Sequence, residues 1–286
     1  MLVALLGVAV ALGEPIAHVY WNLTAKVFQA PAPRGIVLVT IDRDETWTSQ
    51  RQAQVLEAIR QGSPERIYLD WNFRLGSDPQ GDAALQRALR SFGDRIRFVS
   101  RSPYSDRLDG AQFSLPPAAL VGEGQVVLSG WNSNALYYAE SSPYVIEGKG
   151  KVYSSLAADL AKVHSGLEPV FYPDFSIDFD SVPKVGTRSV LDARSSPDVW
   201  RGRDVIITDL DRGPPIYAFG HQAVPAVMVD LAGVAGLRRP VSFAFGNALF
   251  FGPLLLLAVI TGLLWLARRH EDPAQRKLGY WGAIVL

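Results

Sequence analysis

Gly35-Ile36-Val37-Leu38-Val39-Thr40-Ile41-Asp42 is a run of β-branched and aliphatic residues closed by an acid. A strand with one wet face alternates apolar and polar residues. An unbroken apolar run suits a strand buried on both faces, as in a parallel sheet. Asp204-Val205-Ile206-Ile207-Thr208, closed by Asp209, has the same character. Between these two runs, Arg66–Leu69 (closed by Asp70), Arg97–Ser100 and Gln125–Ser129 (leading into Gly130-Trp131-Asn132) predict three further strands. Helical spacing separates them. Val55, Leu56 and Ile59 share a face within 50–61, where Gly62 stops the pattern; Leu85, Ala88 and Leu89 do so within 83–92, with Asp82 as the expected cap.

Alternating strands and helices predict an α/β fold, a mainly parallel sheet with helices on both faces. The middle of the chain departs from that rhythm. Val145–Val152, with Gly148 and Gly150 at the turn, predicts a β-hairpin insertion. A helix is expected over 154–163, a half-exposed strand over Phe175–Phe179, and an apolar helix over Ala223–Gly236.

Lys+Arg and Asp+Glu both number 28, so the formal charge is zero, which argues against a nucleic-acid binder. The chain has no Cys, which removes disulfides, thiolate metal sites and Cys nucleophiles together. There is no GxGxxG after the first strand, no phosphate-cradling GxxxxGK[ST] and no GxSxG elbow. His18, His164, His221 and His270 are scattered without metal-ligand spacing. No cofactor is expected.

Outside the sheet the apolar residues gather at the ends. Pro240–Ala267 is 28 residues without a charge, long enough at about 1.5 Å per residue to cross a hydrocarbon core of ~30 Å. Arg268, Arg269 and His270 follow at once, and basic residues mark the cytoplasmic end of a span. Met1–Gly13 is likewise uncharged. The expected organisation is a first transmembrane helix over 1–13, its front truncated, and a juxtamembrane amphipathic helix over 14–30. A periplasmic domain over 31–239 follows, then a second transmembrane helix over 240–267 and a basic cytoplasmic loop over 268–278. The start of a third span, cut short, occupies 279–286. A signal sequence is the alternative for the N-terminus. The lipid bilayer is thus an expected partner, with residues 31–239 expected outside the inner membrane.

Ligands of open parallel sheets bind beyond the carboxyl ends of the strands. There this chain offers Asp42 and Asp44 after the first strand, Asp70, Trp71 and Asn72 after the second, Trp131 and Asn132 after the fourth, and Asp209 after the last. Acids on one rim can hold a divalent cation or a polar ligand, with the two indoles as walls. The same acids equally suit helix caps and Asx turns.

In their order, these segments resemble the type-two CHASE domain, an extracellular sensory module of bacterial signalling proteins. The resemblance rests on Gly35–Asp42, Arg66–Phe73, the helix Asp82–Leu89, Val152–Ala157, Ile177-Asp178-Phe179, Val190–Asp192, Trp200–Ile207 and the helix Val224–Gly236. It implies a periplasmic sensor responding to an unidentified signal, most simply as a homodimer. A cytoplasmic output module would lie beyond residue 286: a histidine kinase, a nucleotide cyclase, or a diguanylate cyclase with phosphodiesterase. It implies no catalytic residues in this chain. The competing readings are a membrane-anchored metal-dependent hydrolase using Asp42, Asp70 and Asp209, and a purely structural dimerisation module.

Overall fold

Six strands pair side by side, every neighbouring pair parallel, in a computed structural model of the chain. They are β1 (Ile36–Thr40), β2 (Arg66–Asp70), β3 (Ile96–Arg101), β4 (Val126–Ser129), β5 (Lys184–Gly186) and β6 (Asp204–Thr208). Their spatial order is β5-β1-β6-β2-β3-β4. The last strand therefore slots between the first two, where sequence order alone would not put it. The structure describes residues 29–43, 45–71, 73, 76, 78–101, 116–117, 125–133, 139–148, 151–166, 169–192, 196–211, 216–218, 223–238, 257–262 and 264–265.

Helices complete the layers of the unit: α1 (Ser49–Arg60), α2 (Pro79–Phe92), α3 (Leu156–Ala161), α4 (Thr187–Leu191) and α5 (Ala226–Arg238). Side chains of a strand point alternately to its two faces. One face of the sheet is mainly apolar: Val39, Ile67, Leu69, Ile96, Phe98, Val205 and Ile207 pack with Val55, Leu56 and Ile59 of α1, Leu85, Leu89 and Phe92 of α2, and Val190 of α4. Each fully buried aliphatic side chain there contributes about 1.5–3 kcal/mol.

The opposite face, under α3 and α5, is different. Its three central strands are in register as three rows: Ile36–Asp204–Arg66, Leu38–Ile206–Tyr68 and Thr40–Thr208–Asp70. Leu38 and Ile206 keep the middle row apolar beside the Tyr68 phenol, while the outer rows carry the charged groups Asp204, Arg66 and Asp70 and two threonine hydroxyls. Helix α5 approaches its neighbours closely. A Cβ on Gly233 would lie 2.8 Å from the Ala157 Cβ, and one on Gly236 would lie 2.1 Å from the Tyr172 carbonyl oxygen.

The five expected sheet strands are present, and Val145–Gly148 pairs antiparallel with Lys151–Ser154 as the expected hairpin. Several boundaries differ, each for a local reason. Helix α2 starts earlier than expected: Asp78 caps it, with Pro79 in the first turn, and Asp82 instead accepts hydrogen bonds from Gly76 N (2.7 Å) and Ser49 Oγ (2.5 Å). The half-exposed strand expected over Phe175–Phe179 shrinks to Ile177–Asp178, because the Asp178 carboxylate accepts from Asp180 N and turns the chain into a 3-10 turn. The last helix starts at Ala226, not Ala223. Pro225 disfavours helix at the residue before it, and Ala223–Val224 pairs with Ile216–Tyr217. Strand β5 and helix α4 were not expected, since three and five residues carry too little periodicity to read. Of the juxtamembrane helix expected over 14–30, the described end is extended: Ala30–Pro31 pairs in parallel with Ile177–Asp178.

The chain divides into two compact units, Phe28–Pro240 and Met1–Val27 with Val241–Leu286. In the second, only 257–262 and 264–265 are described, and they are helical. Among the described residues no helix is long and apolar enough to cross a membrane. The expected spans at 1–13 and 279–286, the basic loop at 268–278 and most of 240–267 lie outside the described residues.

Candidate functional site

The carboxyl ends of β3 and β4 meet one buried acid of α5, and those of β2 and β6 join them through Asp70. Asp70 ends β2 and Arg101 ends β3. Arg101 Nε donates to Asp70 Oδ1 at 2.9 Å, and Nη2 donates to Oδ2 at 2.8 Å, a bidentate pair. Thr208 Oγ1, at the end of β6, donates to Asp70 Oδ2 at 2.7 Å. The third nitrogen of the same guanidinium, Nη1, donates to Asp230 Oδ2 of α5 at 3.0 Å and also bonds Ser129 Oγ at the end of β4. Ser129 Oγ donates to Asp230 Oδ2 at 2.7 Å. Asp70, Asp230, Ser129 and Thr208 are all buried.

Two carboxylates thus share one cation away from water. Burial works against the Arg101 charge, but Asp70 and Asp230 outweigh it and hold the guanidinium protonated above its ordinary range. Burial pushes the Asp230 carboxyl up to about 6, against the pull of Arg101 and the Ser129 hydroxyl, with Asp70 adding to the rise.

A second ionic group closes the amino end of the same face. Arg66 forks onto Asp204, Nε to Oδ1 and Nη2 to Oδ2 at 2.9 Å each. Its Nη1 reaches the Asp159 carbonyl of α3 at 2.9 Å, and Tyr68 Oη donates to Asp159 Oδ2 at 2.6 Å. Burial raises the Asp204 carboxyl despite Arg66, and raises the Tyr68 phenol with help from Asp159. Arg66, Tyr68 and Asp70 alternate along β2, so one strand carries a member of each cluster.

The described acids expected on one rim hold different partners. Asp42 accepts from Arg188 N (2.8 Å) and Thr187 Oγ1 (3.0 Å), so it closes the start of α4. Asp209 accepts from Asp211 N at 3.0 Å in an Asx turn. Arg43 in turn forks onto the Asp211 carboxylate, joining the loops after β1 and β6. Asp70 lies on the ionic face. Trp71, its neighbour, lies on the apolar one, edge-on to Trp47 at 5.4 Å and against Phe73 at 5.2 Å. Adjacent residues take opposite faces, so the two do not line one site. Trp131 is buried, and Asn132 Nδ2 donates to Ser141 Oγ at 3.3 Å. Asp44 and Asn72 lie outside the described residues. Among the described residues no group of three or more His, Asp or Glu side chains is placed to hold a metal ion.

Sequence reasoning missed Arg101, Ser129, Thr208 and Asp230. A signal was present for Asp230: it is the one acid in Ala226-Val227-Met228-Val229-Asp230-Leu231-Ala232-Gly233-Val234, and a lone carboxylate in an apolar helix needs a buried partner. No family profile, no curated protein and no solved structure matches this chain.

Proposed function

We propose that residues 31–239 are the extracytoplasmic sensory input unit of a bacterial membrane receptor, similar to a type-two CHASE domain. In this reading the apolar segments at 1–13 and 240–267 hold the unit in the inner membrane, with residues 31–239 in the periplasm, and the receptor acts as a homodimer. The signal passes to an output module encoded beyond residue 286, a histidine kinase, a nucleotide cyclase, or a diguanylate cyclase with phosphodiesterase.

The observation that carries this reading is the clasp from Arg101 to Asp230. An input domain has to connect its responsive edge to the segment that leaves it. In sequence, α5 is that segment, running through Arg238-Arg239-Pro240 into the apolar stretch. Its only acid is held by the same guanidinium that ends β3 and grips β2. A stimulus that alters this edge bears directly on α5, by no more than its differential affinity for the two arrangements.

Expression of the chain in a Gram-negative bacterium tests the proposal. It predicts that the protein sediments with membranes, resists carbonate extraction, and is cut within 31–239 by protease added to spheroplasts. A protein that stays soluble without detergent, or is cut only after lysis, overturns it.

A further inference from the structure

We propose that the amino edge of the parallel sheet is a docking surface for anionic phospholipid headgroups. The choice of partner rests on the membrane-anchored reading above, and the test separates the two.

Parallel strands all begin at one edge of their sheet. Four strands of this chain start side by side, in the order β1, β6, β2, β3, with Ile36 beside Asp204, Asp204 beside Arg66 and Ile67 beside Ile96. At about 4.8 Å per strand, their starts span roughly 14 Å. An arginine leads into three of them: Arg34 into β1, Arg203 into β6 and Arg95 into β3. Helices add Arg90 in the last turn of α2 and Arg238 in the last turn of α5. Hydrogen bonds tie these turns together. Glu65 N donates to the Arg203 carbonyl at 2.9 Å, Arg95 Nη1 to the Pro64 carbonyl at 3.2 Å, and Arg238 Nη1 to the Arg34 carbonyl at 2.7 Å.

None of these five arginines has a carboxylate partner among the described residues, and all but the half-buried Arg203 are exposed. Other cations answer the acids around them. Glu57 pairs with Arg60, Glu65 with Lys162 and Asp198 with Arg201. Within the sheet, Arg66 and Arg97 take Asp204 and Asp159. Asp94, next to Arg95, is the one acid of the turns into these strands without an ion pair among the described residues. The edge therefore holds a surplus of positive charge, although the chain as a whole has a formal charge of zero.

A guanidinium forks onto a phosphate as it does onto a carboxylate, so this surface suits a phosphate-bearing partner. Chain connectivity selects the membrane among such partners. Arg238 is followed by Arg239 and then by Pro240, where the uncharged stretch 240–267 begins. Two residues of chain reach about 7 Å at most, which keeps this edge beside whatever surface the stretch enters. Each arginine near an anionic lipid surface favours contact by about fivefold.

The full chain, reconstituted by detergent removal with phosphatidylcholine vesicles containing or lacking phosphatidylglycerol, tests this. The chain has no Cys, so Ser91→Cys and Thr46→Cys, at exposed positions, each give one site for a bimane label. Ser91 adjoins Arg90 at the amino edge, whereas Thr46 lies in the loop after β1 at the opposite edge. A nitroxide carried on a lipid headgroup quenches a label that comes close to it. Phosphatidylglycerol should raise quenching at Ser91→Cys about twofold, leave Thr46→Cys unchanged, and lose its effect in high salt. Arg34→Gln, Arg90→Gln and Arg203→Gln combined should abolish the rise. Vesicle-bound chain with equal quenching in the two lipids, or a rise that survives in the triple variant, overturns the proposal and leaves the receptor reading standing. A chain that does not float with neutral vesicles overturns the receptor reading; flotation with anionic vesicles that the triple variant loses would still support the lipid-binding edge, and flotation with neither overturns both.

Discussion

Arg101 and Asp70, at the carboxyl ends of adjacent parallel strands, face each other through two N–H···O bonds of 2.9 and 2.8 Å. That fork uses Nε and Nη2 and leaves Nη1 to cross to α5. The planar guanidinium is what allows one side chain to serve two carboxylates held by different elements. An ammonium, with a single nitrogen, cannot reproduce that geometry.

Replacing Arg101 therefore removes the guanidinium that two buried acids share. Arg101→Met should cost about 3–5 kcal/mol, as removal of one partner from a buried ion pair does. Arg101→Lys should cost less, about 1.5–3 kcal/mol, for a lost charge-assisted bond. Urea midpoints at constant slope measure both. An Arg101→Met midpoint equal to wild type would mean that the cluster contributes nothing to holding α5.

The pH dependence of global stability has a definite sign. Asp230 has a folded value of about 6 against an ordinary 3.8, so the folded chain binds more protons than the unfolded one between roughly pH 4 and pH 6. Its contribution is fully present below that window and declines as pH rises through it, by a total of about 3 kcal/mol. The quantity to measure is the stability of wild type minus that of Asp230→Asn, in urea, from pH 4 to pH 7.5. It should fall with pH; a constant difference contradicts the assignment.

Acids at the strand ends should differ sharply in what they contribute. Asp42→Ala removes the group that closes α4 and should cost about 1 kcal/mol. Asp209→Ala, an Asx turn at a half-exposed position, should stay within about 0.5 kcal/mol. Asp70→Ala leaves Arg101 with only Asp230 and should be the most costly of the three. Thermal melts of the three variants give the ranking, and equal shifts would refute it.

Gly236→Ala tests the packing of α5. In a free helix this change is favourable by about 1 kcal/mol. Here the new Cβ would lie 2.1 Å from the Tyr172 carbonyl oxygen, which is backbone and cannot rotate away. The expected result is a loss of about 1–3 kcal/mol. A gain in urea midpoint would show that α5 does not approach residue 172 so closely.

Much of the sheet was legible because continuous apolar runs such as Ile36–Val39 and Val205–Ile207 have few other uses. Strand β5 was not, since Lys184-Val185-Gly186 is too short to show a period. The insertion of β6 between β1 and β2 was hidden for another reason: strand order depends on which pairings bury most, and nothing local encodes it. The acids after the strands were visible, but their partners were not. Asp42 meets Thr187 and Arg188 across about 145 residues of chain, and Asp230 meets Arg101 across 129. Reading β2 by parity would have done better, because Arg66, Tyr68 and Asp70 repeat every second residue and mark a polar face within a buried strand.

The proposed function requires residues 31–239 to lie outside the cytoplasm. Insertion of alkaline phosphatase, which is active only beyond the inner membrane, near residue 120 tests it most directly, with a fluorescent protein that matures only inside at the same position as its counterpart. An active phosphatase and a dark fluorescent fusion are expected; a bright fusion with an inactive phosphatase would overturn the proposed topology.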